Sequence, residues 1–161
     1  MPVTKPPPGS SVSWDSCSRI TRINGASLPP TRPLIPDAVE ESLRYEPPSP
    51  VQARYVAQDA EHYGRVVPEG SFMLLLNASA NRDEHQFPDP DRFDIHRRGS
   101  HLSFGQGLHF CLGSALARLE ARVAFEEVLK RWPDWEVDYA NAERAHTASV
   151  RGWARLPVIT G

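Results

Sequence analysis

The longest run of helical periodicity in this chain of 161 residues lies between Leu112 and Trp132. It is entered through a loop of three glycines and one cysteine, Phe104-Gly105-Gln106-Gly107-Leu108-His109-Phe110-Cys111-Leu112-Gly113, and ended by Pro133. Leu112, Leu116, Leu119 and Val123 recur at helical spacing, and Ala121, Phe125, Val128 and Trp132 continue on an adjoining stripe. The pattern predicts one wide core-facing side. Arg122–Glu126, Glu126–Lys130 and Glu127–Arg131 are opposite-charge pairs four apart, as expected of a solvated remainder. Whatever fold forms must therefore back a glycine-loosened loop with a long helix.

At the start of a helix the unpaired N–H groups and the dipole favour negative charge, so Cys111 placed there is a readier thiolate than an ordinary cysteine. A thiolate is a nucleophile or a metal ligand. An isolated cysteine in a helical context is, on composition alone, most often a small buried hydrophobe. A Cys–His nucleophile pair is weakly supported, because no orienting acid or oxyanion turn is recognisable nearby. Gly105, Gly107 and Gly113 can take positive φ or let the backbone approach a flat, bulky partner. Phe104 and Phe110 would give the sulfur apolar cover.

The ten residues match at every fixed position the pattern Phe-Gly-x-Gly-x-His-x-Cys-x-Gly, and in this they resemble the haem-binding loop of the cytochrome P450 monooxygenases. The resemblance implies that Cys111 is the axial thiolate of the iron of haem b (iron protoporphyrin IX) and pushes electron density towards O–O cleavage. His109 would contact a haem propionate. Phe104 would shield the sulfur, and Gly105, Gly107 and Gly113 would lie against the cofactor.

Upstream, Leu34 to Tyr45 reads as a helix, with Pro36 tolerated in the first turn, Asp37 and Glu40 near its positive end, and Pro47-Pro48 as the stop. Glu41 and Arg44 share a face, which alone suggests only an exposed ion pair. Glu41-Ser42-Leu43-Arg44 also resembles the Glu-x-x-Arg pair of the same family, in the right order before a cysteine loop. Phe87-Pro88-Asp89-Pro90-Asp91-Arg92-Phe93 makes a rigid loop and corresponds to the family's meander, whose arginine, here Arg92, completes a structural network with Glu41 and Arg44. Between them, Arg54–Val56, Arg65–Val67 and Ser71–Leu76 read as strands of a small antiparallel sheet, and Asn77–Arg82 as a short helix. Arg54 is an ordinary strand arginine or, by the resemblance, a second propionate contact. Trp135–Asp138 and Ala148–Ile159 finish the chain as short strands.

The fold class expected is mainly α with small antiparallel β-sheets, an incomplete cytochrome P450 fold comprising its C-terminal haem-binding part over residues 34–161. Residues 1–33, rich in proline and serine, carry no family match and cannot bury enough apolar surface to offset their ordering entropy, so disorder is expected there. A net charge of −2 without basic clusters argues against nucleic acid. The longest apolar run, Phe72 to Leu76, argues against a membrane span. Two cysteines, Cys17 and Cys111, form no disulfide framework, and no secretory signal is recognisable; a cytoplasmic chain is expected.

The resemblance implies an oxidoreductase that inserts one atom of O2 into a small organic substrate. Its electrons would come from a donor such as a ferredoxin with its reductase, docking near Arg118 and Arg122. The family's oxygen-binding helix finds no candidate between Met1 and Pro33, so a truncated chain that at most binds haem stands as the alternative.

Overall fold

The computed structural model describes residues 34–160, and the expectations for residues 1–33, Cys17 included, lie outside the described residues. Helix α1 spans Leu34–Tyr45, the bounds that its proline and acid signals predict. Ala38, Val39 and Leu43 are its buried side. Strand β1 (Gln52–Tyr55) pairs antiparallel with β4 (Phe72–Leu75), with Arg54 opposite Met73. Between them β2 (Ala60–His62) and β3 (Arg65–Val67) form a separate hairpin. Its turn is made by Tyr63 and Gly64 at φ 49° and 73°, a left-handed pair that matches strand twist. Strand β2 escapes the sequence pattern because Ala-Glu-His has no alternation and little β propensity.

Helix α2 is the single turn Asn77–Ala80. Residues 81–113 then cross the molecule without regular structure except for a 3-10 turn at Gly107–His109. Helix α3 spans Ser114–Arg131. It is followed by β5 (Trp135–Val137), which pairs with β8 (Val158–Thr160), and by β6 (Glu143–Arg144), which pairs with β7 (Trp153–Arg155). Two main helices with four two-stranded antiparallel sheets among the described residues bear out the expected α+β class.

The core gathers Ala38, Val39 and Leu43 of α1, Ile95 and Phe104 of the irregular segment, Ala121 and Phe125 of α3, and Trp135 and Val137 of β5. Here α3 departs from expectation. Its buried stripe is Ala121 and Phe125, with Ala117, Val128 and Trp132 packed at the edge. Leu116, Leu119 and Val123 are exposed, and Leu112, ahead of the helix, is fully so at 102%. Periodicity offers two adjoining apolar stripes, and α1 takes the one whose alanines allow close helix approach. No helix among the described residues is long and apolar enough to cross a membrane.

Candidate functional site

The cysteine loop is built from two tight reversals. Gly105 and Gly107 adopt φ 72° and 70°, the left-handed region that a side chain resists. Gly105 N–H donates to Leu102 O at 2.9 Å, and Phe110 N–H donates to Gly107 O at 3.0 Å. Cys111 N–H then donates to Phe104 O at 2.9 Å, closing the loop on itself. Gly113 has an ordinary φ of −83° and stands as the N-cap of α3. A Cβ on it would lie 3.9 Å from Cys111 Sγ.

The helix begins at Ser114, so Cys111 precedes it by three residues rather than opening it. Glycine at 113 and the chain reversal before it delay the first helical turn. Cys111 is a free, exposed thiol. Around it Leu108 and Leu112 are fully exposed and Phe110 half so, leaving an apolar apron about a single sulfur. His109, at the end of the 3-10 turn, is exposed too. Among the described residues no group of three or more His, Cys, Asp and Glu side chains could hold a metal ion.

Arg54 sits on β1 with Nη2 donating to Gln52 Oε1 at 3.3 Å and Nη1 to Ala53 O at 3.0 Å. Gln52 in turn reaches the turn at Gly105, where a Cβ would meet its amide at 3.8 Å. Arg54 thus stands one side chain away from the cysteine loop. Gln52 is missed by sequence reasoning, because a strand glutamine gives no pattern.

Behind the loop lies a second construction around a buried carboxylate. Glu41, 3% exposed, accepts from Arg44 Nε at 2.7 Å and Nη2 at 2.8 Å, a two-toothed pair. Its Oε1 also accepts from Asp94 N–H at 2.8 Å. The second guanidinium on Glu41 belongs to Arg97, with Nε 3.4 Å from Oε1, and not to Arg92. Arg92 is exposed and takes part through its carbonyl, which accepts from Arg44 at 3.3 Å and Arg97 at 3.1 Å. The reason is local. Asp89 takes φ 49° and accepts at its carbonyl from Arg92 N–H at 3.0 Å, a turn that sends the Arg92 side chain outward.

The remaining donors of Arg44 and Arg97 find Asn81 O, Pro88 O, Asp89 O and Pro90 O. Two cations around one carboxylate are tolerable in the interior only when their hydrogen bonds are satisfied in this way. Asn81, with no exposed surface, joins this network to the cysteine loop. Its Oδ1 accepts from Leu102 N–H at 2.7 Å, its Nδ2 donates to Ser103 Oγ at 2.8 Å, and Ser103 Oγ donates to Leu43 O at 2.6 Å. Asn81 and Ser103 carry no signal in a single sequence.

Of the two arginines expected to receive a partner, Arg118 forks onto Glu40, with Nε to Oε1 at 2.6 Å and Nη2 to Oε2 at 2.9 Å. The Arg122 side chain is exposed and makes no hydrogen bond to a described residue. Burial pushes the Glu40 carboxyl up, but His101 and Arg118 beside it outweigh that and hold it at about 2.

A family model described as Cytochrome P450 matches residues 28–146, more than half of the chain. A relative from Mycobacterium tuberculosis bearing the name cytochrome P450 123 is 52% identical over 126 residues, covering 77% of this chain and 31% of its own. The 6-deoxyerythronolide B hydroxylase of Saccharopolyspora erythraea is 44% identical over 128 residues, with the same two shares. Among solved structures, the tirandamycin C-bound P450 monooxygenase TamI superposes with a TM-score of 0.83 at 36% identity, over 94% of this chain and 39% of that one. The chain thus spans about a third of the length of the curated relatives it matches. By the matched span, the shared fold and the cysteine loop alike, this chain belongs to the cytochrome P450 family, whose members bind haem.

Proposed function

We propose that the chain carries the haem-ligating half-site of a monooxygenase, with Cys111 as the axial thiolate. One observation carries the reading: the free thiol of Cys111 stands exposed at the centre of an apolar apron, on a loop closed by its own backbone, with no group of His, Cys, Asp and Glu side chains able to hold a metal ion among the described residues. That donor set fits a flat apolar cofactor whose iron already has its equatorial ligands. Gly107, where a Cβ would meet only open space, would let the plane lie close to the backbone.

In this reading Cys111 ligates the iron and Phe104 gives the sulfur its buried neighbour. His109 and Arg54 offer donors to the propionates, whose carboxylates suit an imidazole N–H and a guanidinium. Gly105 and Gly113 keep the loop thin on either side of the sulfur. The Glu41, Arg44 and Arg97 network, with the Arg92 carbonyl, holds the loop's underside fixed. The chemistry that haem supplies when bound is reduction of O2 by two electrons and two protons, one oxygen atom entering the substrate and the other leaving as water. The substrate is a small organic molecule, and the electrons come from a ferredoxin-type donor in the cytoplasm. Its docking surface includes Arg122 rather than Arg118, whose charge is committed to Glu40.

The exposed leucine stripe of α3 favours a second reading, a chain that binds haem without turning over, since Leu116, Leu119 and Val123 have no cover among the described residues. One preparation separates the two. The chain is loaded with haem and reduced, and its carbon monoxide difference spectrum and oxygen uptake are recorded. A thiolate-type band that Cys111→Ala abolishes supports ligation, and oxygen uptake with substrate supports turnover. Haem uptake indifferent to Cys111→Ala would overturn the ligand assignment.

A further inference from the structure

Phe104 is gripped by three side chains at once. The Arg118 guanidinium of α3 lies 4.6 Å over its ring, within cation–π range. The His101 ring stands 5.9 Å from it, and Phe110 meets it edge-on at 6.4 Å. Arg118 is itself locked by the fork onto Glu40 of α1. The His101 side chain is 4% exposed, and its Nε2 lies 3.2 Å from Glu40 Oε2, in polar contact though off the line of a good hydrogen bond. Nδ1 accepts from Ser103 N–H at 3.2 Å, which leaves the ring hydrogen on Nε2, facing the carboxylate.

Glu40 thus aligns a cation and an imidazole, and these two hold the ring of Phe104. The carbonyl of Phe104 is the acceptor for Cys111 N–H. Displacement of Phe104 therefore moves the acceptor that fixes the cysteine. An ion pair as exposed as Glu40–Arg118 contributes little to global stability. Its leverage is on position.

We propose that Glu40, His101 and Arg118 are positioning residues of the cysteine loop, clamping Phe104 so that its carbonyl holds the Cys111 amide and the sulfur stays where it can donate. This deepens the assignment of Cys111 as axial ligand and rests on it, but the clamp is tested without haem. The experiment is amide exchange by NMR on the haem-free chain of 161 residues, with Phe125 in the middle of α3 as the internal reference.

Glu40→Gln and Arg118→Ala are expected to lower the protection of the Cys111 amide about tenfold while that of Phe125 stays within about twofold. His101→Gln, which keeps an N–H donor towards Glu40, is expected to retain most of the protection that His101→Ala loses. A Cys111 amide that is unprotected in the parent chain, unchanged in the variants, or falling in step with Phe125 would overturn the clamp. With haem added, His101→Ala should raise the share of the thiol-type over the thiolate-type carbon monoxide band. Should Cys111→Ala leave the parent spectrum unaltered, the ligand assignment fails, and the exchange data still judge the clamp.

Discussion

The two sides of the cysteine loop are built on opposite principles. On the inner side the charges of one network are matched: Glu41 accepts four hydrogen bonds from Arg44, Asp94 and Arg97, and carbonyls from Asn81 to Arg92 are drawn onto two guanidiniums. On the outer side Leu108, Leu112, Leu116 and Leu119 face outward with nothing described against them. Irregular backbone can be made rigid by buried charge when every partner is supplied, and that rigidity lets the opposite surface remain apolar and open without the loop collapsing onto it.

Substitutions across this divide should differ steeply. Glu41→Ala leaves the buried Arg44 and the partly buried Arg97 without their carboxylate and is expected to cost about 3 to 5 kcal/mol, read as a fall in the urea midpoint. Phe125→Ala, on the buried stripe of α3, should cost about 3 to 5 kcal/mol as well, while Leu119→Ala on the outer stripe should stay within about 0.5 kcal/mol. Equal effects at Phe125 and Leu119 would place both stripes in one core and break the comparison. Arg97→Ala should cost about 1 to 3 kcal/mol by the same measurement, and Arg92→Ala almost nothing, because only the main chain of Arg92 serves the network.

A further small effect is one of pH. The Glu40 carboxyl has its ordinary value of 4.5 in the unfolded chain and about 2 in the fold. Between those values the unfolded chain binds more protons, so this contribution is complete above about 4.5 and is lost as pH falls towards 2. Because Glu40 is half-exposed, screening limits it to about 1 kcal/mol or less. The parent and Glu40→Gln should therefore differ in stability near pH 5 and converge as the medium is acidified through that window. A difference that persists unchanged at the acid end would remove Glu40 from the account.

What could be read from the sequence was what local chemistry decides. Helix α1 announced itself by Pro36, Asp37 and Pro47, and the hairpin turn by Tyr63-Gly64. The Glu41/Arg44 pair and the cysteine loop were legible because their spacings are short and specific. What failed depended on how distant segments meet. Two apolar stripes on α3 were equally periodic, and only the approach of α1 chooses between them. Arg92 had the expected position in the loop, but a left-handed Asp89 turns its side chain away and Arg97 fills the place. Asn81, Ser103, Gln52 and His101 are ordinary polar residues until the chain is folded.

The contact from Ser103 Oγ to Leu43 O spans 60 residues and the one from Asn81 to Leu102 spans 21. In kinetic terms, such long closures are made only after the entropy of bringing the segments together has been met. The contacts under the cysteine loop are therefore expected to close late in folding, after α1 and the meander have met. If Cys111 ligates haem as proposed, its sulfur is expected to be aimed only once Ser103 has docked under α1.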